Sequence, residues 1–310
     1  MTDRSRSVAV FGHRGARGLA PENTLEGFRR AGSLGLTGVE LDVGLSADGV
    51  AIVHHDPRLG PDVARDAGGG YVAAPGPRLR DMTAAAIGGF DVGRLRDGSD
   101  YAARHPEQAP VDGARIPTLD AALASLDGLD LLVEIKTFPD APADTAPPAA
   151  MVEAVLTALR RADALHRAVI FAFDWRVLRE AAHRAPEVAR CCLTEPDTVA
   201  AGGLWLDGAD LDQFGGKLPR AVAATGARFW APFQARLEEG DLREAHALGL
   251  GVLAWTVNAP ADIDRLLTLG VDGIISDRPD RARHLVETAG RQVAPPGFTR
   301  HFPRRLAGRD

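Results

Sequence analysis

Short apolar runs, most of them rich in Val, Ile and Leu, alternate along this chain with stretches whose apolar residues recur every three or four positions. A strand returns a side chain to the same face every second residue, a helix every 3.6 residues. The runs predict strands over residues 8–11, 39–43, 131–136, 168–173, 189–193, 228–231, 251–257 and 273–276. Helical periods fall over 149–162, 175–185, 242–248 and 261–269, and a capping box of Asn23 with Glu26 predicts an earlier helix. Strands that alternate with helices predict an α/β fold with a parallel sheet. One further strand, 50–54, follows Asp48-Gly49, a turn signal that makes it a hairpin partner of 39–43.

Three stretches break the rhythm. Residues 57–115 are rich in Gly, Ala, Pro and Arg, include Gly68-Gly69-Gly70, and predict an inserted subdomain. Residues 137–149 are rich in Pro and Ala and predict a mobile loop. Residues 291–310 carry Pro295-Pro296 and five arginines (Arg291, Arg300, Arg304, Arg305, Arg309), the composition of a solvated C-terminal tail. The main α/β domain is therefore expected over 1–56 and 116–290. At 310 residues and 45% hydrophobic content, the chain can bury one large core. A formal charge of −6 without a basic stripe argues against nucleic acid as a partner. Neighbours on a strand face opposite ways, so Cys191-Cys192 predict two buried thiols rather than a disulfide. No run of 18 apolar residues predicts a membrane span, and the polar start, without a signal-peptide pattern, predicts a cytoplasmic protein.

The alternation also places chemistry. In Gly38-Val39-Glu40-Leu41-Asp42-Val43, Glu40 and Asp42 share the face opposite Val39, Leu41 and Val43. Two such carboxylates repel, and one holds its proton unless a cation sits between them. Leu131-Leu132-Val133-Glu134-Ile135-Lys136 repeats the device with Glu134 and Lys136. Three carboxylates with no soft ligand nearby suit one divalent cation of the magnesium or calcium kind. A turn centred on Asp48-Gly49 sets His55 opposite Asp42, and a one-residue slip sets it opposite Glu40. In both registers His54 points away.

The ordered set His13-Arg14, Glu40-Leu41-Asp42, His55-Asp56-Pro57 and Glu134-Ile135-Lys136 resembles the glycerophosphodiester phosphodiesterases. So do Ala20-Pro21-Glu22-Asn23-Thr24, Ile116-Pro117-Thr118-Leu119, Phe173-Asp174-Trp175, Trp255-Thr256-Val257-Asn258 and Gly273-Ile274-Ile275-Ser276-Asp277, and the similarity spans about residues 8–285. The resemblance implies a TIM (β/α)8 barrel with the insertion 57–115 as a cap over its mouth. It implies hydrolysis of small glycerophosphodiesters to sn-glycerol 3-phosphate and an alcohol. By motif, His13 and His55 are the acid/base pair, Glu40, Asp42 and Glu134 hold the metal, and Arg14 and Lys136 contact the phosphate. Trp255, with Phe173 and Trp230, would wall the glycerol.

Three alternatives use some of the same parts. A lysophospholipase D-like enzyme would need an exposed apolar loop at the mouth, and the apolar residues of 57–115 are scattered. A non-catalytic sugar-phosphate-binding barrel would not need the full set of histidines and carboxylates. A metal-dependent sugar isomerase would not need Arg14 and Lys136 beside the metal. These residues do not specify the head group or an oligomeric state.

Overall fold

The computed structural model describes residues 7–302. Ten strands form in chain order: β1 (Ser7–Gly12), β2 (Gly38–Leu45), β3 (Ala51–Val53), β4 (Asp130–Ile135), β5 (Ala168–Ala172), β6 (Ala189–Thr194), β7 (Phe229–Pro232), β8 (Gly251–Ala254), β9 (Gly273–Ser276) and β10 (Gln292–Val293). β1, β2 and β4 to β9 pair in parallel around a closed ring, completed by β1 against both β2 and β9. This is the expected TIM barrel. Its helices match the predicted periods closely: Pro148–Arg161, Trp175–Arg184, Glu239–Ala247 and Pro260–Leu269. Leu119–Ser125, Leu218–Ala224 and Pro279–Thr288 were not anticipated. The first two span under two turns, too short for a period to show.

The period of two divides the core into two layers. Val8, Val10, Val39, Leu41, Val43, Leu131 and Val133 pack outward against the helices. Ala9, Phe11, Leu132, Val169, Phe171, Leu193, Phe229, Leu253 and Ile275 fill the barrel. Cys191 belongs to the inner layer and Cys192 to the outer, both as buried free thiols. Wherever a strand's inward column runs on toward its C-terminal end, it emerges at the mouth, and the polar site begins there.

Four expectations are corrected. The helix expected to start at Asn23 is Leu25–Gly32, capped by Thr24, whose Oγ1 accepts from Gly27 N at 3.0 Å. Asn23 sits at φ 52°, a left-handed conformation that Asn tolerates, and serves Asp42 instead. The β2–β3 hairpin pairs Val43 with Val53 and Leu45 with Ala51, which aligns Asp42 with His54 rather than His55. The cause is an odd-length connection: Ser46 N bonds Val50 O across a loop in which Gly49 takes φ 77°.

The expected C-terminal tail is, over residues 292–302, the floor of the barrel. β10 pairs in parallel with β1, and Phe298 and Phe302 pack on Phe229 with ring centroids 6.3 and 4.8 Å away. Asp130 fastens the segment by accepting from Gly297 N and Thr299 N at 2.7 and 2.8 Å. The open lower end of a barrel exposes apolar side chains, and two Phe rings cover them. Arg304, Arg305 and Arg309 lie outside the described residues. The loop after β4, expected to be mobile, is tied to the insertion: Arg58 meets Asp144 at 3.0 Å, and Arg80 Nη1 donates to Thr145 O at 2.8 Å. The insertion has a small core of its own, in which Leu59, Ala64, Leu79, Ile87 and Val92 pack on Ile52 and Ile116.

Candidate active site

The inward columns end in ionisable residues. On β2 and β4, Asp42 and Glu134 are register partners, with Glu40 two residues earlier on the same face. One oxygen from each of Glu40, Asp42 and Glu134 lies within 4.8 Å of the others. All three carboxylates are buried, and Glu40 Oε1 and Asp42 Oδ1 have no hydrogen-bond partner. An orphaned buried carboxylate oxygen is costly, and oxygens of this kind suit a hard cation. Arg14 pairs with Glu22 and Asp42, and Lys136 with Asp42 and Glu134, so neither cation reaches the unpartnered Glu40 Oε1.

Electrostatics without such an ion show the strain. Burial, and then the charges of Asp42 and Glu134, push Glu40 well above the ordinary carboxylate range. Burial likewise raises Glu134, and Lys136 offsets only part of this. For Asp42, burial also opposes ionisation, but His55, Arg14 and Lys136 outweigh it and hold the carboxyl low. Lys136 Nζ bonds Glu134 Oε1 and lies 3.5 Å from Asp42 Oδ1. Arg14 Nη1 donates to Glu22 at 2.8 Å, and its Nε stands 3.3 Å from Asp42 Oδ2.

The loop after β1 is shaped for this. Gly12 precedes it because a Cβ there would stand 1.8 Å from Gly15 O. Arg14 follows at φ 50°, a conformation that costs a non-glycine residue about 1 kcal/mol or more. Its N–H is thereby aimed at Glu40 Oε2, 2.8 Å away. Asn23 does the same for Asp42: its Nδ2 donates to Oδ2 at 2.8 Å, and its Oδ1 accepts from the Asp42 N–H at 3.3 Å.

Both expected histidines stand at the carboxylates. His13 Nε2 is 3.8 Å from Glu40 Oε2, and its Nδ1 is 2.7 Å from Asp277 Oδ1. Burial, then the charge of Arg17, lowers His13 to about 4 despite Asp277. His55 Nδ1 meets Asp56 Oδ1 at 2.6 Å, and burial with Lys136 and Arg14 brings it to about 4. His55 keeps its place beside Asp42 because the chain leaves the strand after Val53, where parity no longer governs direction. His54 is not turned away either, because the observed register sets it opposite Asp42. It borders the same cavity of about 190 Å³ as His55, Arg14 and Arg17, and its buried Nε2 has no partner.

Trp255 and Phe173 meet edge-on at the mouth, centroids 5.2 Å apart, with Lys136 Nζ 5.8 Å from the Phe173 centroid. Trp230 is not part of this wall: it packs in the outer layer and donates Nε1–H to Thr194 Oγ1 at 2.9 Å. Phe233 takes its place, 5.7 Å from Trp255.

Residues 13–281 match the model of the Glycerophosphoryl diester phosphodiesterase family. The chain belongs to that family. Among curated proteins, the glycerophosphodiester phosphodiesterase of Caldanaerobacter subterraneus subsp. tengcongensis is 29% identical over 293 residues, covering 91% of this chain and 98% of the relative. A crystal structure of a protein assigned to the same family, from Silicibacter pomeroyi DSS-3, superposes with TM-score 0.85 at 38% identity, over 93% of this chain and 95% of that one. An Oleispira antarctica phosphodiesterase, solved with its product sn-glycerol-3-phosphate, shares the fold at TM-score 0.65 and 22% identity, over 90% of this chain and 96% of that one.

Around the enzyme's expected residues stand partners that the sequence reading did not assign. Asp277, almost fully buried, accepts from His13, from Arg17 Nε and Nη2 at 2.8 and 3.0 Å, and from Asn258 Nδ2 at 2.7 Å. The signal for it was present, since Ile275 faces inward and Asp277 follows two residues later. Glu22 and Arg17 carried no such signal, because they lie on a loop without a period. Among the described residues, no helix is long and apolar enough to cross a membrane.

Proposed function

We propose that this enzyme hydrolyses small glycerophosphodiesters to sn-glycerol 3-phosphate and an alcohol, with His13 and His55 as the proton-transfer pair. The reading rests on one observation above all: three buried carboxylates converge within 4.8 Å while His13 lies against Glu40 and His55 beside Asp42. Glu40, Asp42 and Glu134 would hold magnesium or calcium, which when bound withdraws charge from a phosphoryl oxygen. The name of the Caldanaerobacter relative and the product carried by the Oleispira protein support the substrate class.

The chain's own groups supply the rest. Asp277 accepts from His13 Nδ1 and so leaves Nε2 with its lone pair, ready to take a proton. Asp56 does the same for His55. Both imidazoles are neutral at pH 7 in the free enzyme, and a diester anion beside them favours protonation of one. The glycerol 2-hydroxyl attacks phosphorus as one imidazole takes its proton, and the other protonates the departing alcohol oxygen. Water then opens the cyclic phosphate with the roles exchanged. Arg14 and Lys136 bring positive charge to the phosphate, and Trp255 with Phe173 walls the glycerol. The insertion 57–115 limits the size of the alcohol: its Gly60, Pro61, Asp62, Val63 and Tyr101 close the cavity beside His55. A lipid substrate is disfavoured because Leu204, Leu248 and Val111 are the exposed large apolar residues among those described, and only Val111 belongs to the insertion.

The test is a coupled glycerol 3-phosphate assay over a panel of glycerophosphodiesters, with and without chelator. Product should appear from at least one and vanish on chelation. His13→Ala and His55→Ala should each lower turnover roughly 10²–10⁴-fold. Product from no member of the panel removes the reading.

A further inference from the structure

Five side chains link the His13 imidazole to the Asp42 carboxylate, and the middle one comes from the insertion. His13 bonds Asp277; Arg17 donates twice to Asp277 and, through Nη1, to the Tyr101 hydroxyl at 3.1 Å. The Tyr101 hydroxyl donates to Glu22 Oε2, Glu22 Oε1 accepts from Arg14 Nη1 at 2.8 Å, and Arg14 Nε reaches Asp42 Oδ2 at 3.3 Å. Without Tyr101 this hydrogen-bonded path is broken between Arg17, on the side that orients a proton-transfer group, and Glu22, on the side that orients a metal-binding group.

A phenol suits that place for chemical reasons. Its oxygen donates once and accepts, so it can stand between a guanidinium and a carboxylate and satisfy both. A hydroxyl on a shorter side chain would not reach across from the insertion. Tyr101 lies on the helix Asp100–Arg104, whose N-cap Ser99 accepts from Ala102 N at 3.1 Å. That segment is laid against the loop after β1: Gln108 Nε2 donates to Arg17 O at 2.8 Å and Ala109 N to Leu19 O at 3.0 Å. Arg17 and Arg104 also stand 5.9 and 5.3 Å from the centre of the Tyr101 ring. The ring is therefore held from several sides, which keeps its hydroxyl in one position.

We propose that Tyr101 is a positioning residue, through which the insertion sets the His13 imidazole and the Asp42 carboxylate in fixed relation to each other. The inference rests on the acid/base and metal-binding roles proposed above. It makes the insertion part of the support of catalysis, beyond any limit it sets on substrate size.

The test compares Tyr101→Phe with Tyr71→Phe. Tyr71 lies in the same insertion and donates its hydroxyl to Arg94 O at 3.1 Å, so its loss removes a comparable hydrogen bond outside the linked set. With glycerophosphoethanolamine as probe, Tyr101→Phe should lower kcat about 10- to 100-fold, the worth of a hydrogen bond to a charged group, with KM changed less than about threefold. Tyr71→Phe should leave kcat unchanged, and both melting temperatures should stay close to that of the parent. In the metal-free protein the His13 Nδ1–H proton resonance should move in Tyr101→Phe and stay in Tyr71→Phe. Retained kcat in Tyr101→Phe, an equal loss in Tyr71→Phe, or an unmoved His13 resonance overturns the proposal. A parent enzyme that releases no glycerol 3-phosphate from any diester overturns the functional reading instead, and the resonance arm still decides the role of Tyr101. Should Tyr101→Phe not fold, Glu22→Gln carries the same expectations for kcat, KM and the His13 resonance, though with a lower melting temperature, because it keeps the side chain's shape and weakens the acceptor.

Discussion

Replacing Asp277 by Asn changes one oxygen to an amide nitrogen and nothing else in shape, yet the site leaves that nitrogen no acceptable place. Donors converge on both carboxylate oxygens: His13 Nδ1 and Arg17 Nε on Oδ1, Arg17 Nη2 and Asn258 Nδ2 on Oδ2. Turned toward Oδ1, the new NH2 faces His13, whose proton must then move to Nε2, and the wrong nitrogen is left to accept. Turned toward Oδ2, it faces Arg17 and Asn258. Asn258 could rotate, but its Oδ1 would lose the Asp277 N–H at 2.9 Å and the Ser276 hydroxyl at 3.1 Å. The first arrangement removes most of what His13 is worth, a loss of roughly 10²–10⁴-fold in kcat. In both arrangements buried Arg17 loses its carboxylate. A broken buried pair costs about 3–5 kcal/mol, and the surviving Tyr101 contact puts this case at or below the lower end. The measurement is kcat from product release, with the melting temperature by calorimetry on the same samples. Because Asp277 acts through His13, Asp277→Asn placed on His13→Ala should slow the enzyme little further. Multiplicative losses in the double variant, or a kcat within about threefold of the parent in Asp277→Asn, would sink the argument.

Magnesium or calcium should raise the melting temperature of the apo-enzyme and Glu134→Gln should lose most of that rise; saturating the parent at about 100 times Kd adds ~2.7 kcal/mol, and an unchanged rise in the variant refutes the ligand set. Asn23→Gly keeps the left-handed conformation but drops both bonds to Asp42, whereas Asn23→Ala adds a backbone cost of about 1 kcal/mol. Denaturant melts should therefore rank Ala below Gly, and the reverse order would show that the φ of Asn23 carries no strain. Burial opposes the charge on Glu22, but Arg14, Arg17 and the Tyr101 hydroxyl prevail and lower it from 4.5 to about 2. A lowered carboxyl stabilises the fold above its unfolded value and loses that contribution as pH falls, here between about 4.5 and about 2, on the order of 3 kcal/mol. Glu22→Gln should flatten the stability profile in that window, and an unaltered acid limb refutes the assignment.

The barrel was legible because it is written in two periods. Each inner strand shows alternate residues to the helices and to the lumen, so Val39, Leu41 and Val43 sort from Glu40 and Asp42 without any knowledge of the partner strand. What failed were features that parity does not govern. One residue in the loop between β2 and β3 changed the hairpin register, yet His55 reached Asp42 because β3 ends first. Arginine, proline and alanine content suggests a mobile loop after β4 and a solvated C-terminal tail, but composition does not record partners. Arg80 on Thr145 O and Asp130 on two backbone amides hold those segments. The residue type of Asn23 suggests a cap, but the same short amide also suits a left-handed turn that grips a neighbouring strand.

The two non-glycine residues of the loop after β1 with positive φ, Arg14 and Asn23, are the two that bond Glu40 and Asp42 through backbone or side chain. A left-handed residue persists only where surrounding contacts outweigh its cost. Here the contacts are charge-assisted bonds to buried carboxylates, Glu40 raised by burial and by the charges of Asp42 and Glu134, and Asp42 held low against its burial by His55, Arg14 and Lys136. The strain and the carboxylate cluster thus depend on each other: relaxing the loop would orphan more oxygens, and neutralising the carboxylates would release the loop. That mutual dependence explains why the orienting residues escape a reading by period while the carboxylates do not. The carboxylates are placed by the strands, and the loop conformation follows from the need to satisfy them.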